Sequence, residues 1–74
     1  MAGDVPGGTV DVIELVGSSE KSFSDAVRNA VQAAARTIRH IQGVEVVGST
    51  ADVGDNGELT TYKVTCKIAF LLEE

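Results

Sequence analysis

Residues 22–43, SFSDAVRNAVQAAARTIRHIQG, are the one stretch of the chain in which apolar residues recur at helical spacing. Ser22 followed by Asp25 is an N-capping pattern, and the charge of Asp25 suits the positive end of the helix dipole. The apolar stripe consists of Phe23, Ala26, Val27, Ala30, Ala34, Thr37, Ile38 and Ile41. Arg39 and His40 suit a last helical turn, and Gly43 suits the left-handed residue after it. The pattern therefore predicts one helix that begins at Ser22 and stops at Gly43.

The segments around this helix have the composition of strands. Residues 9–16, TVDVIELV, are almost continuously apolar, and residues 44–53, VEVVGSTADV, contain Gly48 as a candidate bulge. A turn at 55–57, Asp-Asn-Gly, leads into a third strand at residues 58–72. The sequence therefore predicts an α+β protein of order β-α-β-β, in which a three-stranded antiparallel sheet wraps around one helix.

Alternation along the third strand divides its side chains between two faces. The side chains expected to face the helix are Tyr62, Val64, Cys66, Ile68, Phe70 and Leu72. The helix should be roughly 28 Å long and the third strand roughly 50 Å, so part of the strand must extend past the helix. The uncovered face of the sheet is expected to carry Val10, Val12, Val44 and Val46. Apolar surface of that kind usually marks an interface, so we expect a homo-oligomer.

Composition limits the classes of function. The 74 residues are enough for one domain, with a flexible lead-in expected at 1–8 and a single domain at 9–74. The net charge of −5, the lack of Trp and the few aromatic residues argue against a nucleic-acid partner. No apolar run in the sequence approaches the length of a membrane span, and neither a signal peptide nor an internal disulfide is expected. A cytoplasmic protein without a membrane partner is expected.

Two groups of charged residues are candidate binding sites. Lys63 and Lys67 share the outer face of the third strand, where they could hold a phosphate or another anion, or pair with Asp11, Glu14 or Glu45. The acidic hairpin at 52–58 could bind calcium, although its acidic residues do not have EF-hand spacing. The alternative is that it forms an ordinary polar turn.

Nothing in the chain assembles a catalytic centre. Cys66 falls on the face expected to pack against the helix, and His40 is expected in the last helical turn without a nucleophile beside it. We therefore expect a protein that is not an enzyme and has no catalytic residues.

Residues 10–74 resemble the dodecin family in order and spacing. The matching pieces are VIELVGSS at 12–19, Ala26 with Asn29-Ala30, TIRHI at 37–41, EVV at 45–47, Tyr62 with Val64-Thr65, KIAF at 67–70 and Leu72-Glu73. The resemblance implies a dodecin-like fold and a hollow homododecamer. It also implies flavin (FMN or riboflavin), bound in pairs at subunit interfaces for storage rather than catalysis.

Two positions depart from the pattern of flavin-binding dodecins. Members that bind flavin carry a Trp just after the helix, whose ring stacks on the flavin, and the matching residue here is Gly43. They also carry a Gln that hydrogen-bonds the flavin ring, and the matching residue is Lys63, which can only donate. We therefore take Gly43, Lys63 and Lys67 as candidate ligand-binding residues. The ligand would be a flavin by resemblance, or else a calcium-type cation or a coenzyme phosphate.

Overall fold

A computed structural model describes residues 8–72 of the chain. Its elements are β1 (Thr9–Ser19), α1 (Phe23–Ala35), β2 (Ile41–Val53) and β3 (Leu59–Leu72). β3 lies in the centre of the sheet and pairs with β1 and β2, both antiparallel. The predicted β-α-β-β order and three-stranded antiparallel sheet are confirmed. The lead-in expected at residues 1–8 lies outside the described residues except for Gly8.

The core forms between one stripe of α1 and one face of β3. On the helix it consists of Ala26, Ala30 and Ala34, which are four residues apart. On the strand it consists of Val64, Cys66 and Ile68, which alternate. All six are at most 5% exposed. The small alanines let the helix lie close to the sheet, and the face predicted for β3 from its alternation is confirmed.

The start of α1 follows the predicted capping pattern. The Ser22 hydroxyl accepts a hydrogen bond from the Asp25 backbone N–H at 3.0 Å. The Ser19 hydroxyl, at the end of β1, donates to the Asp25 carboxylate at 2.7 Å and accepts from the Lys21 N–H at 2.8 Å. The Ser19 hydrogen bond is the main reason that the pKa of Asp25 is lowered, and the charges of Lys21 and Arg28 contribute. Strand, loop and helix start are thus joined by one small polar network.

The predicted end of the helix is wrong. α1 ends at Ala35, so Thr37, Ile38 and Ile41 lie beyond it, and the left-handed residue is His40, with φ of 64°. The His40 carbonyl accepts a hydrogen bond from the Leu71 N–H at 3.0 Å. Pairing with β3 therefore takes over the segment that helical periodicity alone would have extended, and Gly43 lies in β2.

The two faces of the sheet are also divided differently from the prediction. Val44 and Val46 are opposite Ile68 and Cys66, so they lie on the helix side of the sheet, whereas Val12 lies on the outer face. Val44 and Val46 are nevertheless about half exposed, because α1 packs mainly on β1 and β3 and leaves β2 largely uncovered. Apolar surface is thus open on both sides of the sheet.

The β2–β3 hairpin makes the molecule long and narrow. Its extents are 53 × 21 × 16 Å, whereas the 13 residues of α1 span only about 20 Å. The register shift between Val46 and Gly48 confirms the predicted bulge in β2. β3 therefore extends past the helix as expected, and β2, which pairs with β3, extends past the helix as well.

Candidate functional site

An open hollow of about 510 Å³ lies against the outer face of the sheet, where α1 is absent. It is lined by Val12, Gly43, Val44, Glu45, Lys67 and Ala69. The three strands all contribute, because Val12 is opposite Ala69 in β1–β3 and Ala69 is opposite Gly43 in β2–β3. The hollow has apolar walls and two charged side chains, which is the usual make-up of a small-molecule site.

Gly43 leaves the space beside its backbone empty. A β-carbon built at Gly43 would meet no other atom within 4 Å, and Gly43 is not among the residues with positive φ. The role expected for Gly43 as a left-handed helix stop is therefore wrong. Because neither sterics nor backbone conformation requires glycine at this position, a larger residue would fit here and would project into the hollow.

Lys67 lies between two carboxylates. In the register of the sheet Glu14 of β1 is directly opposite Lys67, and so is Glu45 of β2. Neighbours of this kind are about 5 Å apart at their β-carbons, so the three charges form a short row across the outer face. Of the three ion-pair partners expected for the lysines, Glu14 and Glu45 are thus adjacent to Lys67, whereas Asp11 is opposite Phe70.

Lys63 belongs to a different part of the same face. It lies four residues along β3 from Lys67, which is about 13 Å, and its ammonium contacts the Asp52 carboxylate at 3.4 Å. Both members of this ion pair are about half exposed, so the pair contributes at most about 1 kcal/mol to stability. The structure therefore brings Gly43 and Lys67 together and leaves Lys63 outside the hollow.

The acidic hairpin has the geometry of a turn. Gly57 has φ of 85°, the Gly54 N–H donates to the Glu58 carbonyl at 2.8 Å, and the Asn56 side-chain oxygen accepts from the Glu58 N–H at 3.1 Å. The predicted Asp-Asn-Gly turn is confirmed. Between residues 8 and 72, no three His, Cys, Asp or Glu side chains of one chain are grouped closely enough to hold a metal ion.

The two residues considered for catalysis occupy unrelated places. Cys66 is fully buried in the core, and this burial raises the pKa of its thiol. His40 is exposed in the segment between α1 and β2, five residues beyond the helix rather than in its last turn. The one helix in the described part of the chain is too short to cross a membrane.

Four lining residues were not predicted as site residues, namely Val12, Val44, Glu45 and Ala69. Val12 was expected only as part of the exposed apolar surface, and Glu45 only as an ion-pair partner of a lysine. Their common signal is the register of the sheet, which places them beside Gly43 and Lys67. Alternation within each strand shows which residues share a face, but only the pairing between strands shows which of them meet.

Comparison with known proteins gives matches over nearly the whole chain. The Dodecin family model matches residues 9–73. A dodecin from Thermus thermophilus is 36% identical over 62 residues, which are 84% of this chain and 88% of that protein. The structure of dodecin from Streptomyces coelicolor has a TM-score of 0.89 at 36% identity and covers 95% of this chain and 99% of its own.

A further similar structure is a calcium dodecin from Mycobacterium tuberculosis, described as a calcium-chelating antigen with a novel calcium-binding site. Its TM-score is 0.75 at 26% identity, with 88% of this chain and 91% of that chain covered. A protein of this fold and similar sequence is thus described as binding calcium.

Proposed function

Because the chain belongs to the dodecin family, we propose that it is a non-enzymatic small-molecule binding and storage protein that works as a homododecamer in the cytoplasm. The observation that carries this proposal is the hollow on the outer face of the sheet, which is apolar, open and lined by all three strands. Small-molecule binding is the property of the family, whereas the assembly and the ligand of this chain are our inferences.

Self-association is supported by the apolar surface that one chain leaves open. Val10 and Val12 of β1 are 44% and 50% exposed, and Val44 and Val46 of β2 are 43% and 53% exposed. Apolar groups clustered on a sheet in this way gain stability when a second copy covers them. A shell of identical chains would bury both the outer face and the uncovered edge of β2.

The ligand site that we propose is the hollow with Gly43 and Lys67 in its lining. In flavin-binding members, by the resemblance described above, a Trp at the position of Gly43 stacks on the flavin. Base stacking on an aromatic side chain is worth about 1–3 kcal/mol, and glycine offers no such surface. We therefore propose that FMN and riboflavin bind weakly here, and that the space beside Gly43 is used by the ligand itself.

Calcium is the second candidate ligand. The calcium dodecin is similar to this chain, which carries 11 acidic residues and a net charge of −5. Carboxylates such as Asp52, Asp55 and Glu58 could converge from several copies around a symmetry axis, which one chain cannot display. A coenzyme phosphate held by Lys63 and Lys67 has less support, because each lysine lies beside a carboxylate.

The test is to purify the protein under mild conditions and identify what it carries. Light scattering at micromolar concentration should give a mass of about twelve chains, and mass spectrometry after heat release should reveal an organic ligand. Elemental analysis of the same sample tests the calcium alternative. A stably folded monomer would overturn the assembly, and calcium bound without any organic ligand would replace the first candidate by the second.

A further inference from the structure

We propose that the hollow beside Gly43 excludes phosphorylated ligands and takes small molecules that have an apolar body and a neutral or positive charge. This inference rests on the proposed function of the hollow as the ligand site. It goes further because it assigns a charge class to the ligand, and therefore separates molecules that share one ring system but differ by a phosphate.

The first argument is the row of charges at the hollow. Glu14, Lys67 and Glu45 occupy facing positions on three neighbouring strands, with the single cation in the middle. Two carboxylates and one ammonium give the row a formal net charge of about −1. A phosphate would therefore compete with two carboxylates for the three N–H donors of Lys67.

The second argument is that, among residues 8–72 of one chain, Lys67 is the one cationic residue that lines the hollow, so no second lining cation offsets the negative charge. Lys63, the other lysine of the sheet, is paired with Asp52 and lies about 13 Å along β3. A homo-oligomer would repeat this excess of negative charge at each of its sites. The net charge of each chain is itself −5. A phosphate that enters such a site gives up water and meets like charge, which lowers its affinity.

The third argument concerns the apolar side chains that line the hollow on the outer face, which are Val12 and Ala69; the side chain of Val44, another lining residue, lies on the helix side of the sheet. These side chains bind through apolar contact and are indifferent to the charge of the ligand. They therefore favour an apolar ring or chain, while the charged row alone decides which substituents are accepted. Glu45 can accept a hydrogen bond from a donor or cation on the ligand, and Lys67 can donate to a carbonyl, while Glu14 acts through its charge beside Lys67.

Riboflavin and FMN form the matched pair of probes, because they differ only by the phosphate. Both are titrated by fluorescence quenching against the natural protein and against Gly43→Trp, which supplies a stacking surface. We expect riboflavin to bind about tenfold more tightly than FMN in low salt, the order expected for one net charge at about 7 Å. The ratio should shrink as salt is raised to 0.5 M, because salt screens the repulsion.

The residues are tested with Glu14→Gln combined with Glu45→Gln, which removes the excess charge and leaves Lys67 alone. The ratio should then fall to one or invert in favour of FMN. Asp52→Asn is the control, because it removes a carboxylate from the same face outside the hollow and should leave the ratio unchanged. Light scattering of each variant confirms that the assembly is retained, and the salt series on the natural protein stands independently of the variants.

The outcomes distinguish this inference from the proposed function. If neither flavin binds to either protein at millimolar concentration, the hollow is not the ligand site and both ideas are overturned. If FMN binds as tightly as riboflavin or more tightly, the hollow remains a ligand site but the charge selection is overturned. The charge selection would also be overturned if riboflavin still bound more tightly than FMN in high salt and in the double variant. The preference would then have a cause other than the row of charges.

Discussion

Gly17 and Ala26 are in such close contact that a β-carbon on Gly17 would overlap the carbonyl oxygen of Ala26. The same β-carbon would be 2.9 Å from that of Ala30. Glycine at this point of β1 is what allows the strand to cross directly beneath the helix. The contact involves helix backbone, which cannot move aside as a flexible side chain would.

Gly17→Ala should therefore destabilise the protein by about 1–3 kcal/mol, the usual cost of overfilling a packed core. Gly48→Ala is the matched control, because a β-carbon there meets nothing within 4 Å and the backbone φ is not positive. Gly48→Ala should leave the free energy of unfolding unchanged or raise it slightly. Urea unfolding at one fixed protein concentration measures both, and equal stability of the two variants would contradict the packing argument.

Asp25 should contribute to stability at neutral pH and lose that contribution in acid. Its pKa is lowered in the folded protein, so the unfolded chain binds the proton more tightly. The stabilisation is present above the unfolded value of about 3.9 and disappears as pH falls through the folded pKa. Asp25→Asn should have a lower melting temperature than the natural protein at pH 7, and the difference should vanish as pH falls through the lowered pKa of Asp25.

Asp55→Asn is the control for that series, because Asp55 lies in the exposed hairpin turn. It should change the melting temperature little at any pH. The same variant also tests whether the hairpin binds calcium, because its melting temperature can be measured with and without calcium. If calcium raises the melting temperature of the natural protein and Asp55→Asn abolishes the rise, the hairpin is part of a cation site.

The thiol of Cys66 should be unreactive in the native protein. It is fully buried and its pKa is raised by that burial, so little thiolate is present at pH 8 and reagents cannot reach it. Native protein should react with a thiol reagent at least a hundredfold more slowly than protein in 6 M guanidinium. Equal rates in the two conditions would show that this part of the core is open.

Gly43→Trp should raise the affinity for riboflavin by about tenfold or more, because the indole restores a stacking surface worth about 1–3 kcal/mol. The open space beside Gly43 and its ordinary backbone remove the risk of strain that a helix-stop position would have carried. Gly43→Ala is the control and should not bind more tightly. Fluorescence quenching decides between them, and tight binding by the natural protein would show that other residues hold the ring.

Lys63→Gln should change the affinity for riboflavin only slightly, although the family resemblance points to this position. Lys63 contacts Asp52 and does not line the hollow of its own chain. Its removal should cost at most about 1 kcal/mol of stability. A large gain in flavin affinity from Lys63→Gln alone would mean that Lys63 reaches the site of a neighbouring copy.

The start of α1 and the core face of β3 could be predicted because both depend on residues close in sequence. Ser22 caps through Asp25, and Val64, Cys66 and Ile68 alternate within one strand. The end of α1 depends on a competition that periodicity cannot show. The carbonyl of His40 bonds to the distant Leu71, and this pairing overrides the helical spacing.

The candidate site was predicted only in part for the same reason. Gly43 and Lys67 meet in the hollow, but Lys63 does not, although both lysines lie on one face of β3. The assignment of Val44 to the outer face failed because the β2–β3 register has shifts on both sides of the segment. One shifted residue moves every later side chain to the other face, and no local pattern reveals where a shift occurs.

The central position of β3 has a consequence for how the chain folds as it is made. β1 is synthesised first, yet its partner is the last strand of the described chain, and Thr9 pairs with Leu72. β1 and α1 can pack on each other as they leave the ribosome, but both lack β3, and the sheet closes only when β3 emerges. Long-range pairing of this kind slows folding. A chain broken off before β3 lacks Val64, Cys66 and Ile68 of the core, so we expect it to stay unfolded and only nearly complete copies to join an assembly.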